Sequence, residues 1–277
     1  MNRIEGRYIS LLTDFGFMRI FGTKPNKDLL INFLNSLFEG FQVIKGEKYL
    51  NSEHVGDVFA ERKPIFDVYC ENEKGEKFIV EMQNASIFPI REQAPKGADW
   101  NFKLDHVYIV ALLNFDLEVE AFDKNDINHD VGLLDKKTHK VFNDKLSFKY
   151  VEIAKFDKTE DELVTLYDKW LYVLKNLSRL DERPAALKEK VFTKLFEEAE
   201  IAKFTPTELK EYEDSLKAYR DIKNSIDTAL EKGREEGRAE SKNLKVIQIA
   251  KKMLAAGMDI DTIKNMTDLS KSEIEKL

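Results

Sequence analysis

The segment Lys63-Pro64-Ile65-Phe66-Asp67-Val68-Tyr69-Cys70, Glu71-Asn72-Glu73-Lys74-Gly75-Glu76, Lys77-Phe78-Ile79-Val80-Glu81-Met82-Gln83 decides how the chain folds. Two arms rich in Ile, Val, Phe and Tyr flank a polar joint with one glycine, the pattern of a β-hairpin. A three-residue loop, Glu73-Lys74-Gly75, puts Gly75 at the left-handed position such hairpins favour. Setting Asn72 against Glu76 then fixes the register, and Asp67 falls opposite Glu81. Directly opposed residues share a face, with Cβ atoms roughly 4.5–5.5 Å apart. Alternation along the strand puts Gln83 on the face of Glu81, and Phe78, Val80 and Met82 on the other. Two neighbouring carboxylates repel unless a proton or a cation lies between them. An oxygen-rich cluster of this kind suits Mg2+ or Mn2+. The plainer alternative is a hairpin with one solvated face; the apolar neighbours Phe66 and Val68 weigh against it for Asp67.

Outward from the hairpin, Leu29, Leu30, Phe33, Leu34, Leu37 and Phe38 recur at helical spacing after Pro25, and Gly40 ends that helix. Phe41 to Ile44 read as a strand. Downstream, Pro89, Pro95 and Gly97 leave room for a short helical piece from Pro89 to Ala94. Asp105 to Phe115 is a nearly continuous apolar run, which predicts a central strand buried on both faces. Val131 to Leu134 and His139 to Phe142 predict a second hairpin, and Leu146 to Ile153 a further strand. From Thr159 the pattern is helical: one helix around Leu163 to Leu174, one from Pro184 to about Phe204, and one opening at Thr205-Pro206 and running toward Lys232. Gly233-Arg234-Glu235-Glu236-Gly237-Arg238 reads as a hinge or a charged helical spacer. Apolar spacing resumes from Leu244 to Leu254, Gly257 caps that helix, and Ser270-Lys271-Ser272-Glu273 is a capping box for a last short helix. These readings divide the chain into a core over 1–158, a helical extension over 159–232, a spacer over 233–243 and a small helical segment over 244–277.

The chain has 277 residues, 43% hydrophobic and 34% charged, with net charge −7. That length supports one sizeable core and an appendage. No apolar run reaches the roughly 20 residues of a membrane span, and the first residues lack a signal-peptide core. Cys70 is the single cysteine, which fits a reducing, cytoplasmic setting and a buried strand residue. The four histidines are scattered without cysteine partners, an arrangement unlike a zinc site. The acidic balance does not advertise nucleic-acid binding, although local basic stretches count for more than the sum.

An Asp followed fourteen residues later by Glu-x-Gln resembles the PD-(D/E)XK nuclease superfamily, with Gln83 where a lysine is usual. Thr13-Asp14-Phe15-Gly16-Phe17, Leu30-Ile31-Asn32-Phe33-Leu34-Asn35, Val80-Glu81-Met82-Gln83 and Arg91-Glu92-Gln93-Ala94-Pro95-Lys96-Gly97 resemble the PD-(D/E)XK family transposases, also called recombination-promoting nucleases. The tail around Ala250-Lys251-Lys252-Met253-Leu254 and Gly257 is similar to that family's C-terminal end. The resemblance implies an α/β fold with a restriction-endonuclease-like αβββαβ core and a mixed sheet, followed by a mostly helical C-terminal region. It implies divalent-metal-dependent DNA cleavage in recombination or mobile-element biology. Asp67 and Glu81 map to the metal-binding acids and Gln83 to the position that orients the attacking water, with Asp14 as an accessory acid.

From the hairpin itself, the Met82 carbonyl between Glu81 and Gln83 offers a third oxygen ligand for Mg2+ or Mn2+. Lys63, Arg91 and Lys96 are candidates to supply the positive charge that a lysine at position 83 would bring. In the family a longer helix with an arginine and paired tyrosines follows the Glu-x-Gln; here Asn84-Ala85-Ser86-Ile87 runs directly into Phe88-Pro89. The alternative expectation is therefore a degenerate member that binds DNA or a protein partner without cutting. Association through the C-terminal helices as a homodimer is a third expectation.

Overall fold

The computed structural model describes residues 6–38, 47–49, 68–72, 74, 76–82, 106–117 and 119–277. They fall into two units, Met1–Tyr219 and Arg220–Leu277.

In the first unit, helices α1 (Asp14–Phe21) and α2 (Lys27–Leu37) precede strands β1 (Glu47–Tyr49), β2 (Val68–Asn72), β3 (Lys77–Met82), β4 (Val107–Leu113), β5 (Asn128–Leu134) and β6 (Val141–Glu152). Helices α3 (Leu166–Asn176) and α4 (Lys190–Glu198) follow, then the start of α5 (Pro206–Ala255). The sheet runs β1-β2-β3-β4-β6-β5. Its centre, β3-β4-β6, is parallel; β1, β2 and β5 pair antiparallel with their neighbours. This is the mixed α/β sheet that the resemblance implied. Strand β4 is buried at every position, as its unbroken Val-Tyr-Ile-Val-Ala-Leu-Leu demands.

Phe78, Val80, Tyr108, Val110, Leu112 and Val151 pack with Phe17, Phe21, Leu30 and Phe33 of the first two helices in one core. Trp170 from α3 is fully buried there, 5.7 Å from Phe21, 5.6 Å from Phe33 and 5.1 Å from Phe192 between ring centres. Its indole N–H is satisfied by Asn32 Oδ1 at 2.8 Å, as a buried tryptophan requires.

The segment before α1 is held by residues some two hundred positions away. Ile9 N–H donates to Ala199 O and Ile201 N–H to Arg7 O. Ser10 N–H donates to the Tyr212 hydroxyl at 2.9 Å, and Phe15 N–H to Ser215 Oγ at 3.0 Å. These bonds explain why the helix predicted from Pro184 to about Phe204 is confined to Lys190–Glu198 and a 3-10 turn at Ile201–Lys203. The backbone at 199 and 201 is engaged by residues 7 and 9 instead of continuing a helix. The predicted strand Val131–Leu134 is present and longer, as β5, while the two predicted strands His139–Phe142 and Leu146–Ile153 are a single strand, β6, that runs unbroken from Val141 to Glu152. Shifts of register at Gly132/Leu133 and Leu133/Leu134 accommodate it against β5. The predicted strand Phe41–Ile44, the helical piece Pro89–Ala94 and the turn position of Gly75 lie outside the described residues.

In the second unit, the rest of α5 packs with α6 (Ile260–Thr267) and α7 (Lys271–Ile274) around Ala250, Ile263 and Ile274. Gly257, at φ +80°, ends α5, a conformation that favours glycine. Asp259 caps α6 by accepting from Thr262 N–H at 2.9 Å, and Ser270 with Glu273 forms the expected capping box. The stretch Gly233–Arg238 is helical, with i,i+4 ion pairs such as Lys223–Asp227 and Lys232–Glu236 on its surroundings. Among the described residues no helix is long and apolar enough to cross a membrane.

Candidate functional site

Strands β2 and β3 pair as Val68↔Val80, Tyr69↔Ile79, Cys70↔Phe78 and Glu71↔Lys77, the register expected from the sequence. Asn72 holds the turn. Its N–H donates to Glu76 O at 3.0 Å, and its side-chain oxygen accepts from Lys74 N–H and Glu76 N–H, each at 3.0 Å. Its side-chain amide donates to Glu76 Oε2 at 2.6 Å. A buried Asn that closes its own turn in this way fixes where the two arms meet. Phe78 and Val80 are fully buried in the helix-covered core.

Glu81 and Met82 end β3, and of these two the backbone is described. Their parallel partners are Ala111 and Leu112 on β4; Ala111 in turn pairs with Tyr150 on β6. The carboxyl ends of three parallel strands therefore lie at one edge of the sheet, with Glu81 at that edge, where open α/β sheets usually place their ligands. Asp67 and Gln83, and the accessory candidates Lys63, Arg91 and Lys96, lie outside the described residues.

Asp14 is described. It begins α1 directly after Thr13, whose hydroxyl accepts from Gly16 N–H at 3.1 Å and donates to Ser10 O at 2.8 Å. The turn is tight: a β-carbon at Gly16 would fall 2.1 Å from the Ser10 carbonyl oxygen. Asp14 is exposed but crowded by the surrounding chain, and loss of hydration pushes its carboxyl above the usual range. Among the described residues it makes no side-chain hydrogen bond or ion pair. Asp14 is thus a carboxylate with open coordination capacity. Among the described residues no three His, Cys, Asp or Glu side chains form a metal-sized group.

The sequence did not single out Glu152, the last residue of β6 and the partner of Leu113. It is fully buried. Its Oε1 accepts from Lys155 Nζ at 2.8 Å and meets His129 Nε2 at 2.7 Å; its Oε2 accepts from Leu117 N–H at 2.6 Å. Burial opposes its ionisation, but the bonds from Lys155, Leu117 and His129 outweigh it and hold the carboxyl below the ordinary range. Both oxygens are engaged, so Glu152 anchors the loop after β4 and is not available as a ligand. Phe122 from that loop stacks on His129 with ring centres 4.0 Å apart.

Residues 11–229 match the PD-(D/E)XK nuclease family transposases, and residues 243–277 match the C-terminal helix-turn-helix domain of the Rpn/YhgA-like nuclease family. The chain belongs to the PD-(D/E)XK nuclease family transposases. No curated protein and no solved structure matches it. The family match covers the sheet, both edges of the hairpin and helices α1 to α4, which makes the first unit nuclease-like. The helix-turn-helix match falls on the end of α5 with α6 and α7, giving this transposase-family chain a motif of the DNA-binding class. Helix α6, the middle element of that motif, was not read from the sequence. Its signals are the Asp259 cap with Thr262 and the Ile260, Ile263, Met266 spacing.

Proposed function

We propose that the protein is a divalent-metal-dependent DNA endonuclease that hydrolyses phosphodiester bonds in recombination or mobile-element biology. The observation that carries this reading is the β2–β3 register within a chain of this nuclease family. Asp67 precedes Val68 and Glu81 follows Val80, so the same register carried one pair further would bring the two acids opposite each other.

In this reading Asp67, Glu81 and the Met82 carbonyl hold the ion, an all-oxygen donor set of the kind Mg2+ and Mn2+ prefer. Family chemistry fits the set, since PD-(D/E)XK nucleases generally use divalent metals. When bound, the ion supplies Lewis acidity at the scissile phosphate. Gln83 orients water or phosphate through its amide and cannot serve as a general base, because it does not titrate. Asp14 assists as a nearby acid, and Lys63, Arg91 or Lys96 supplies the positive charge that a glutamine lacks.

Supercoiled plasmid incubated with the protein and Mg2+ or Mn2+ tests this directly. Nicking that is lost in Asp67→Ala and in Glu81→Ala supports it. A parent protein that cuts nothing, with both variants binding metal as the parent does, sinks the catalytic assignment.

A second reading is DNA binding without cleavage, which the glutamine at 83 and the helix-turn-helix match favour. It predicts metal-free, salt-sensitive association with DNA and no nicking. Either reading accommodates a homodimer through the C-terminal helices, where Leu244 and Ile249 are exposed. Sedimentation of a chain ending at Lys232 against the full chain checks this; an unchanged association state removes the tail as the dimer element.

A further inference from the structure

Within the first unit, β5 is the last strand of the sheet, so among the described residues its outer edge meets no other strand. Residues 130–134 are exposed apart from the half-buried Val131. Edge strands are usually guarded by lysine, proline or a bulge. Asn128–Leu134 contains neither residue, and the register shifts leave their unpaired residues, 142 and 144–146, on β6. Gly132 marks the same edge. It is not among the positive-φ glycines, and a β-carbon there would meet nothing within 4 Å. Neither its backbone nor packing within the chain calls for glycine, and a glycine inside a strand often marks where another backbone comes close.

The two ends of β5 carry opposite surfaces. Beyond Leu134 lies the turn to β6, closed by Asp135, whose Oδ1 accepts from Thr138 N–H at 2.6 Å and from Thr138 Oγ1 at 2.7 Å. Residues 135–145 hold four lysines and two acids, and Asp135 is spent inside the turn. Beside these cations Leu134 is 55%, Val141 65% and Phe142 78% exposed. Before Asn128 lies the loop from β4, and residues 116–126 hold five acids and one lysine. Asp116, Glu120 and Asp123 border a groove of about 500 Å3 with the apolar Leu117, Val119 and Phe122. Its two cations are Lys124 and Lys155, and Lys155 is held by Glu152 and by Asp126 O. Phe122 stacks on His129, which fixes the loop against the start of β5. A basic, apolar projection and an acidic, apolar recess thus lie at opposite ends of one strand. At about 3.3 Å per residue they are roughly 20 Å apart, so the turn cannot fill the groove of its own chain.

We infer that two copies of this chain pair antiparallel through β5, the lysine-bearing turn of each lying against the acidic groove of the other. With the two-fold axis at Gly132, Lys136 comes level with Asn128 of the other copy and Lys137 with its Ile127, beside the 116–126 loop. The same patch serves both copies, so the contact closes on two. The strand pair joins the two sheets, and the two turn-in-groove contacts enlarge it toward the roughly 800 Å2 per partner of a stable interface. A second copy is favoured over duplex DNA because DNA would meet the lysines and leave the exposed Leu134, Val141 and Phe142 and the acidic groove unused. The surface belongs to the first unit and is separate from the C-terminal helices.

The test is sedimentation of the full chain at micromolar concentration without nucleic acid, where the parent runs as an even number of copies. Lys136→Glu with Lys137→Glu sets acid against acid, and Asp116→Lys with Glu120→Lys sets base against base. Each of these variants alone is expected at half the parent's mass, with association weakened at least about tenfold. All four side chains are exposed, so each variant keeps the parent's circular dichroism. An equimolar mixture of the two variants restores the parent's mass, because every turn then faces a groove of opposite sign. A single chain carrying all four substitutions restores it for the same reason. Neither a DNA-binding turn nor a dimer made by the C-terminal helices gives rescue by mixing. A parent that sediments as a single copy overturns the inference, as do variants that keep the parent's mass and a mixture that stays at half of it.

Discussion

His129 Nε2 lies 2.7 Å from Glu152 Oε1, and both residues are buried at the carboxyl edge of the sheet. With Lys155 and the Leu117 N–H on the same carboxylate, this pair fastens the loop that follows β4 to the end of β6. Removing one member of a buried charged network leaves the others uncompensated. Glu152→Ala is expected to cost about 3–5 kcal/mol in urea unfolding at neutral pH. Because the folded carboxyl sits below its ordinary range, its stabilisation is complete above the unfolded value and is lost as pH falls through the folded one. The gap between parent and variant should therefore narrow in acid; a gap independent of pH would contradict the assignment.

Glu208 shows the same logic at the surface. Its carboxylate accepts from Thr205 N–H at 2.7 Å and Thr205 Oγ1 at 2.8 Å, and meets Arg19 Nη1 at 2.6 Å. The Thr205 bonds, backed by Arg19, hold it at about 2. Its contribution is present above about 4.5 and disappears as pH falls toward about 2. Melting curves of Glu208→Gln should lie below the parent's at neutral pH and converge with them near pH 2.

Asp14 predicts the opposite sign. A carboxyl raised by desolvation is most tolerable when protonated, so its effect on stability worsens as pH rises through the folded value. Asp14→Asn should melt no lower than the parent at neutral pH while cleavage falls. A variant that melts well below the parent would make Asp14 a helix-capping acid and nothing more.

Asn72→Ala removes the acceptor for Lys74 N–H and Glu76 N–H. The expected loss is about 1–3 kcal/mol by chemical denaturation, together with weaker metal-supported cleavage, since the arms bearing Asp67 and Glu81 meet through this turn. Full activity at reduced stability would uncouple the turn from the site.

The hairpin register was legible because a period-two pattern and a short polar joint leave few ways to pair the arms. Strand β4 was legible from its unbroken apolar run, and the Ser270 box from purely local chemistry. What escaped was set from afar or by weak signals. Helix α4 stops early because residues 7 and 9 claim its following backbone, and nothing near residue 199 says so. Helix α6 has only a short apolar trio, with Met266 68% exposed. Glu152 is one acid among fifty-one acidic residues until β4, His129 and Lys155 close over it. Of the candidate site, the sequence supplied the order of the acids and the register leading to them; Asp67 and Gln83 themselves lie outside the described residues.

Tyr212 reaches back 202 positions to the Ser10 amide. At about 5–20 residues per second, the ribosome delivers that hydroxyl roughly 10–40 s after the amide it serves. Until then the turn that starts α1, and with it Asp14, lacks its clamp. A nascent or truncated chain ending before Tyr212 carries every residue of the hairpin and lacks the hydroxyl that holds the Ser10 amide.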